Sequence, residues 1–290
     1  MKLAFLILAH KNPKQLQKLT DYLLSEGCRV FIHIDKKSSM GFSDFITSNK
    51  SKKDLEIYAE YPVYWGSFNQ IEATFFLLKK ALLHSDVDYL SLISGQDLPV
   101  KPMSELKEFL SKTNKEYFTF SKLPNAGFED KGGLDRYRLY WVTDFNENQK
   151  WFYAKWNVFL HALQNAFRFY RSVNVQLYGG ANWFTISRRA AEYADDFITK
   201  NNSFYLRFRN TRCADEIILQ TILMSSPLAS SVENNSLREV DWKTGPEYPR
   251  TFRMEDYNRL TNSSGFFARK FDENIDNAII DKIYSYISPK

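Results

Sequence analysis

The sequence predicts an α/β fold built on a mostly parallel sheet, and three observations carry that expectation. Residues 3–9 form a continuous apolar run of strand length, and residues 29–34 form a second. Between them, Asn12 and Pro13 open a segment in which Leu16, Leu19, Leu23 and Leu24 recur at helical spacing. Such a β-α-β crossover implies parallel strands, with ligands bound beyond their carboxyl ends. Those ends carry His10 and Lys11 after the first strand, and Asp35, Lys36, Lys37 and Ser38 after the second.

The same alternation continues. Residues 55–59 read as a strand, and residues 61–67 form an aromatic loop, Tyr-Pro-Val-Tyr-Trp-Gly-Ser, ahead of a long helix over about 68–84. Gly66 and Ser67 suit a helix start, and the ring of Tyr64 or Trp65 is a candidate to stack on a base or a sugar. Residues 89–93 form a short strand that runs into Ser94, Gly95, Gln96, Asp97, Leu98, Pro99 and Val100. No Gly-rich phosphate loop follows the first strand, which argues against a dinucleotide fold and against a P-loop enzyme.

Composition narrows the class. With 290 residues, 44% of them hydrophobic and 16% aromatic, the chain can bury a sizeable core as a single domain. Lys and Arg number 39 against 34 Asp and Glu, a mild surplus that suits a phosphorylated small molecule and falls short of a nucleic-acid footprint. Cys28 and Cys213 match no metal-ligand spacing and no disulfide framework, so a reducing cytoplasm is expected. No run approaches the roughly eighteen apolar residues of a membrane span.

An acidic pair, Asp215 and Glu216, precedes the apolar run Ile217, Ile218 and Leu219. A carboxylate at the start of a helix sits at the positive end of the macrodipole, where it stays ionised and accepts a proton, as a general base must. The turn around Asp97 offers only one acid, because Gly95 stands two residues before it. One carboxylate is a poor cage for a divalent cation, so chemistry without a metal is the expectation.

Taken together, Ile93 to Val100, the Trp65-Gly66-Ser67 loop with Gln70 and Ala73 behind it, Ala214-Asp215-Glu216, and Phe267 to Asp272 resemble the core-2/I-branching β-1,6-N-acetylglucosaminyltransferases, glycosyltransferase family 14. That family also includes peptide O-xylosyltransferases. The likeness runs from Leu3 to about Asp272, with the motifs in the family's order. It implies an A-type nucleotide-sugar glycosyltransferase fold, a Rossmann-like mixed sheet flanked by helices, in a metal-independent variant.

The resemblance also implies roles. Glu216 matches the catalytic base of an inverting transfer, with Asp215 capping or orienting it. Arg250 and Lys270 match the cations that neutralise the departing UDP, dividing two phosphates between a planar fork and a point charge. His10, Asp35 and Tyr64 complete the expected donor site. Asp35 is suited to a ribose or uracil contact, though a turn-capping role is equally open. Arg136, Trp183 in the Gly-rich stretch 179–184, and Trp242 are the expected acceptor contacts.

The expected reaction is transfer of GlcNAc from UDP-GlcNAc to a glycan hydroxyl in a β-1,6-type linkage, with UDP-xylose as the nearest alternative donor. A catalytically silent glycan-binding or membrane-surface protein is the rival from another class. Residues 1–115 would bind UDP, and residues 116–290 would bind the acceptor and supply base and cations. The anchor and disulfide cysteines of the Golgi members are missing from this sequence, so a bacterial-type cytoplasmic enzyme is expected. Residues 151–172 are dense in aromatic and basic side chains, which fits peripheral contact with the inner face of a membrane and a lipid-linked glycan acceptor.

Overall fold

A computed structural model describes residues 1–145 and 149–288. The strands in chain order are β1 (Leu3–Ala9), β2 (Arg29–Ile34), β3 (Leu55–Tyr58), β4 (Tyr89–Ser94), β5 (Asp97–Pro99), β6 (Glu116–Phe118), β7 (Ser121–Lys122), β8 (Tyr178–Gly179), β9 (Phe184–Ser187), β10 (Val232–Asn234), β11 (Arg238–Val240) and β12 (Phe267–Arg269). Seven of them form one sheet in the order β10-β6-β9-β4-β1-β2-β3. The segment from β4 through β1 and β2 to β3 is parallel, while β9 runs antiparallel to both β4 and β6. The expected mixed α/β sheet flanked by helices is therefore present.

Strand alternation assigns the two faces. On β1, Phe5 and Ile7 join Val30, Ile32 and Ile34 in a core beneath the helices Pro13–Ser25, Met103–Ser111 and Asn277–Ile287. Ala4 and Leu6, with Phe31, Leu90 and Leu92, face the helices Phe68–Leu82, Arg188–Lys200 and Ile218–Met224. Burial on both sides explains why β1 reads as an unbroken apolar run. The helix expected over 68–84 ends at Leu82, and Ser67 stands at its N-cap without a capping side-chain bond.

A second, three-stranded sheet crosses the carboxyl edge of the first. In it β12 lies between β11, which it parallels, and β5, to which it is antiparallel. Its register sets Arg269 opposite Asp97 and Phe267 opposite Pro99. Phe267 is fully buried, with its ring edge-on to Phe5 of β1 at 5.8 Å, so one aromatic contact ties the small sheet to the large one.

Phe267→Ala should therefore cost about 3–5 kcal/mol of unfolding free energy. Equilibrium denaturation measures it, and a cost under about 1 kcal/mol would contradict this account of how the sheets are joined.

Candidate active site

At the carboxyl ends of β1 and β2, Asp35 is buried and its carboxylate is occupied. Oδ1 accepts from the backbone N–H groups of Lys37 (3.1 Å) and Val63 (3.0 Å), and Oδ2 pairs with Lys37 Nζ at 2.8 Å. The Lys37 ammonium also donates to the Val63 carbonyl and stands 4.2 Å over the ring of Tyr64. Asp35 thus organises the 63–64 loop. His10 keeps an exposed edge at the same end of the sheet. Partial burial of the ring and the charge of Lys11 lower its pKa, Arg269 and Lys37 add to this, and Asp35 opposes it.

The aromatic loop continues into the acidic turn. Gly66 has φ +71, and its carbonyl accepts from Cys213 N–H at 2.9 Å, so the two loops lie back to back. A Cβ at Gly66 would stand 3.2 Å from Cys213 Sγ, so this position needs glycine for both its backbone angle and its neighbour. Cys213 is itself left-handed at φ 48, and it turns the chain into a single 3-10 turn, Ala214–Glu216. The helix that follows, Ile218–Met224, starts only after this turn. Asp215 and Glu216 therefore do not open the helix, which corrects the sequence expectation.

The electrostatics differ from that expectation too. Glu216 is pushed above the ordinary glutamate range by burial, against which Arg136 acts as a donor at 2.7 Å to Oε2. Asp215 is pushed up by burial first and by the neighbouring Glu216 second. Its Oδ2 accepts from Gln70 at 2.8 Å, and its Oδ1 is buried without a hydrogen-bond partner among the described residues. An apolar cavity lined by Ile71, Phe75, Leu92, Phe184 and Ile218 lies against it. Arg136 donates directly to Glu216 and reaches Asp215 only through its charge, which favours the proton of the pair on Asp215. The Glu216 side chain is 37% exposed, so a hydroxyl can reach it.

Arg136, expected at the acceptor, is buried with its guanidinium on Glu216 and 3.6 Å from Asp130. It holds the acidic turn, where the sequence reading had it meeting a ligand.

The Gly-rich strand closes the next side. Gly180 N–H donates to the Glu216 carbonyl at 2.9 Å, and a Cβ at Gly180 would fall 1.8 Å from the Thr119 carbonyl oxygen. Gln220 donates to the Ala181 carbonyl at 2.8 Å. Three residues beyond Gly180, the ring of Trp183 lies 4.6 Å beneath the guanidinium of Arg269.

Arg269 is the residue that sequence reasoning missed. It pairs with Asp97 Oδ1 at 2.8 Å and donates to Ser94 Oγ. Asp97 is wholly buried; Ser94 donates to it through its backbone N–H (3.0 Å) and its hydroxyl (3.1 Å), and the buried Arg238 lies at 3.8 Å. A divalent cation on Asp97 would need oxygens that are already bound to these groups, so the donor set does not fit a metal. The antiparallel register of β5 and β12 puts this arginine there, and nothing local in the sequence reveals that pairing.

Next to Arg269, Lys270 has no side-chain hydrogen-bond or ion-pair partner among the described residues. Burial lowers its pKa, with Lys11 and Arg269 adding to the effect and Glu247 and Asp272 opposing it. Backbone bonds align it with Arg250: Lys270 N–H donates to the Arg250 carbonyl at 3.3 Å, and Phe252 N–H donates to the Lys270 carbonyl at 2.9 Å. The Arg250 guanidinium is committed to Glu255, Asp256 and the Thr244 and Gly245 carbonyls. Asp272 then receives Lys11 (2.7 Å) and Asn12 (2.9 Å), which returns the chain of contacts to the end of β1.

A run of contacts thus leads from the Glu216 carbonyl through Gly180 and Trp183 to Arg269, and on through Lys270 and Lys11 to the end of β1. Trp242 is 64% exposed on the loop beyond β11.

A sequence model of the Core-2/I-Branching enzyme family matches residues 3–262. The chain belongs to that family. Lys270 lies beyond the end of this match, whereas pairwise similarity to curated proteins extends over nearly the whole chain. Xylosyltransferase 1 of Mus musculus is 24% identical over 313 residues, covering 99% of this chain and 31% of the relative. The Homo sapiens protein of the same name is 24% identical, covering 99% and 30%, and Xylosyltransferase 2 of Rattus norvegicus is 24% identical, covering 97% and 33%. The family member described here therefore spans about a third of the length of these relatives. Among solved structures, HddC from Yersinia pseudotuberculosis superposes with a TM-score of 0.33 at 11% identity, covering 66% of this chain and 79% of that one.

Asp97→Ala should destabilise the protein by about 3–5 kcal/mol, because it leaves two guanidinium groups without their buried counter-charge. Denaturation in the presence of EDTA measures the loss, and a stability unchanged to within about 0.5 kcal/mol would contradict the structural role of this carboxylate.

Proposed function

We propose that this protein is an inverting glycosyltransferase that moves a sugar, GlcNAc in the first reading, from its UDP-linked form to a glycan hydroxyl. Family membership supports the reaction class. The observation that carries the residue assignment is the run of contacts that joins the Glu216 turn, through Gly180 and Trp183, to Arg269, Lys270 and Lys11. Residues 1–115 would hold the nucleotide, and the rest of a single domain would supply the acceptor site, base and cations.

In this reading Glu216 takes the acceptor proton as the hydroxyl attacks the anomeric carbon, and UDP leaves from the opposite face. Arg136 keeps the base ionised. Lys270, unpaired and close to other cations, meets the diphosphate as charge develops on it. Arg250 joins it only by giving up its present carboxylate partners. Trp183 and Trp242 are the proposed sugar platforms, and no metal is proposed. Transfer of xylose is the second reading, favoured by the names of the curated relatives.

Turnover assays with UDP-GlcNAc and UDP-xylose on a panel of glycan and peptide acceptors decide between the donors; no transfer from either would contradict the proposal. Glu216→Gln should abolish transfer while UDP affinity stays within about threefold, because the base acts on the acceptor. A variant with the wild-type rate would overturn the role.

The pH profile gives a separate check. A base works only when deprotonated, so the rate should fall as pH drops through a Glu216 pKa that already lies above the usual carboxylate range. Arg136→Met removes the influence that holds that pKa down, so the acid limb should move to higher pH by about one unit or more. A limb that stays in place, or moves down, would contradict the pairing.

A further inference from the structure

The helix Lys150–Ala166 is packed the opposite way to an ordinary surface helix. Its two buried residues are polar, Asn157 and Gln164. Asn157 accepts from Val142 N–H and donates to the Val142 carbonyl, both at 2.9 Å. Gln164 treats Tyr140 the same way, at 2.8 and 3.1 Å. The two amides read the backbone of the 140–142 segment as a neighbouring strand would, and His161 completes that inward stripe against Trp141 at 4.1 Å. The apolar residues are left outside: Trp151, Phe152, Trp156, Val158, Phe159 and, just past the helix, Phe167 are 44–80% exposed.

We propose that this face seats the protein on an anionic lipid surface. A contiguous exposed apolar face of this kind marks an interaction site, and its charge selects the occupant. No Asp or Glu occurs between Glu147 and Glu192. Lys150, Lys155 and Arg168 are exposed without an ion-pair partner among the described residues, and the Lys155 ammonium lies 3.7 Å over the Trp151 ring. A helix that carries cations and no anions of its own repels a second copy of itself and is drawn to acidic headgroups.

The shape agrees. Rings spaced along one exposed arc of a helix suit a surface into which they sink to headgroup level. Among the described residues no helix is long and apolar enough to cross a bilayer, so this one lies on it.

The seat is coupled to the acidic turn. Trp141, packed on the helix, donates through its indole N–H to the Asp135 carbonyl at 2.9 Å, and Arg136, the next residue, holds Glu216. A lipid-linked glycan held at the same surface would then present its hydroxyl to Glu216. That last step rests on the proposed function, whereas the seating does not.

Co-sedimentation with vesicles tests the seating. The chain should sediment with phosphatidylcholine vesicles containing phosphatidylglycerol, and at least about tenfold more weakly with phosphatidylcholine alone or in high salt. The triple variant Trp151→Ser, Phe159→Ser, Phe167→Ser should lose vesicle binding with its circular dichroism unchanged, since all three side chains are exposed. Lys150→Glu with Lys155→Glu and Arg168→Glu should abolish the preference for anionic lipid. In the wild type, doxyl-labelled lipid should quench tryptophan fluorescence, a readout that needs no variant. Absence of vesicle binding and quenching would overturn the proposal. So would binding untouched by both variants, or self-association of the chain that the serine variant abolishes.

Discussion

The buried Asp97 carboxylate is the constraint on which the rest of the site depends. It stops the turn after β4 by accepting from Ser94, and it holds Arg238 of β11 and Arg269 of β12. Breaking such a pair costs far more than it stabilises relative to an apolar core, so its value lies in fixing one arrangement. With Arg269 held, its guanidinium rests on Trp183 of the Gly-rich stretch, and Lys270 is carried beside Lys11.

The acidic turn solves a different problem. Two adjacent carboxyls in a partly buried turn cannot both ionise cheaply. Asp215, beside an apolar cavity, takes the proton, while Glu216, with Arg136 on one oxygen, keeps its charge and one open side. The left-handed Cys213 and the close approach of Gly66 set the angle of that turn, so Glu216 is positioned by backbone geometry more than by a helix dipole. The same backbone constraint recurs at Gly180, where the Thr119 carbonyl leaves no room for a side chain.

Much of the fold was legible because the β1 and β2 runs and the Leu16–Leu19–Leu23 spacing report burial directly. The lone acid at Asp97 was legible too, but its two arginine partners were not. What the sequence hid was long-range. Arg269 meets Asp97 only through the β5–β12 register, and Arg136 reaches Glu216 from 80 residues away, so a basic residue meant for a carboxylate looked like one meant for a ligand. Helical periodicity assumes that apolar residues face inward. In Lys150–Ala166 two side-chain amides face inward instead, so the aromatic density was visible but the polarity of the packing was not.

The measurement that tests the account most directly is calorimetric titration of UDP into the protein with EDTA present, followed by the same titration after magnesium or manganese is restored. The account predicts that UDP binds without metal, that Lys270→Ala weakens this binding by about tenfold or more, and that restored metal changes the wild-type affinity little. Binding that appears only with the divalent cation, or binding indifferent to Lys270, would contradict the claim that this chain's own cations take the place of a metal at the leaving group.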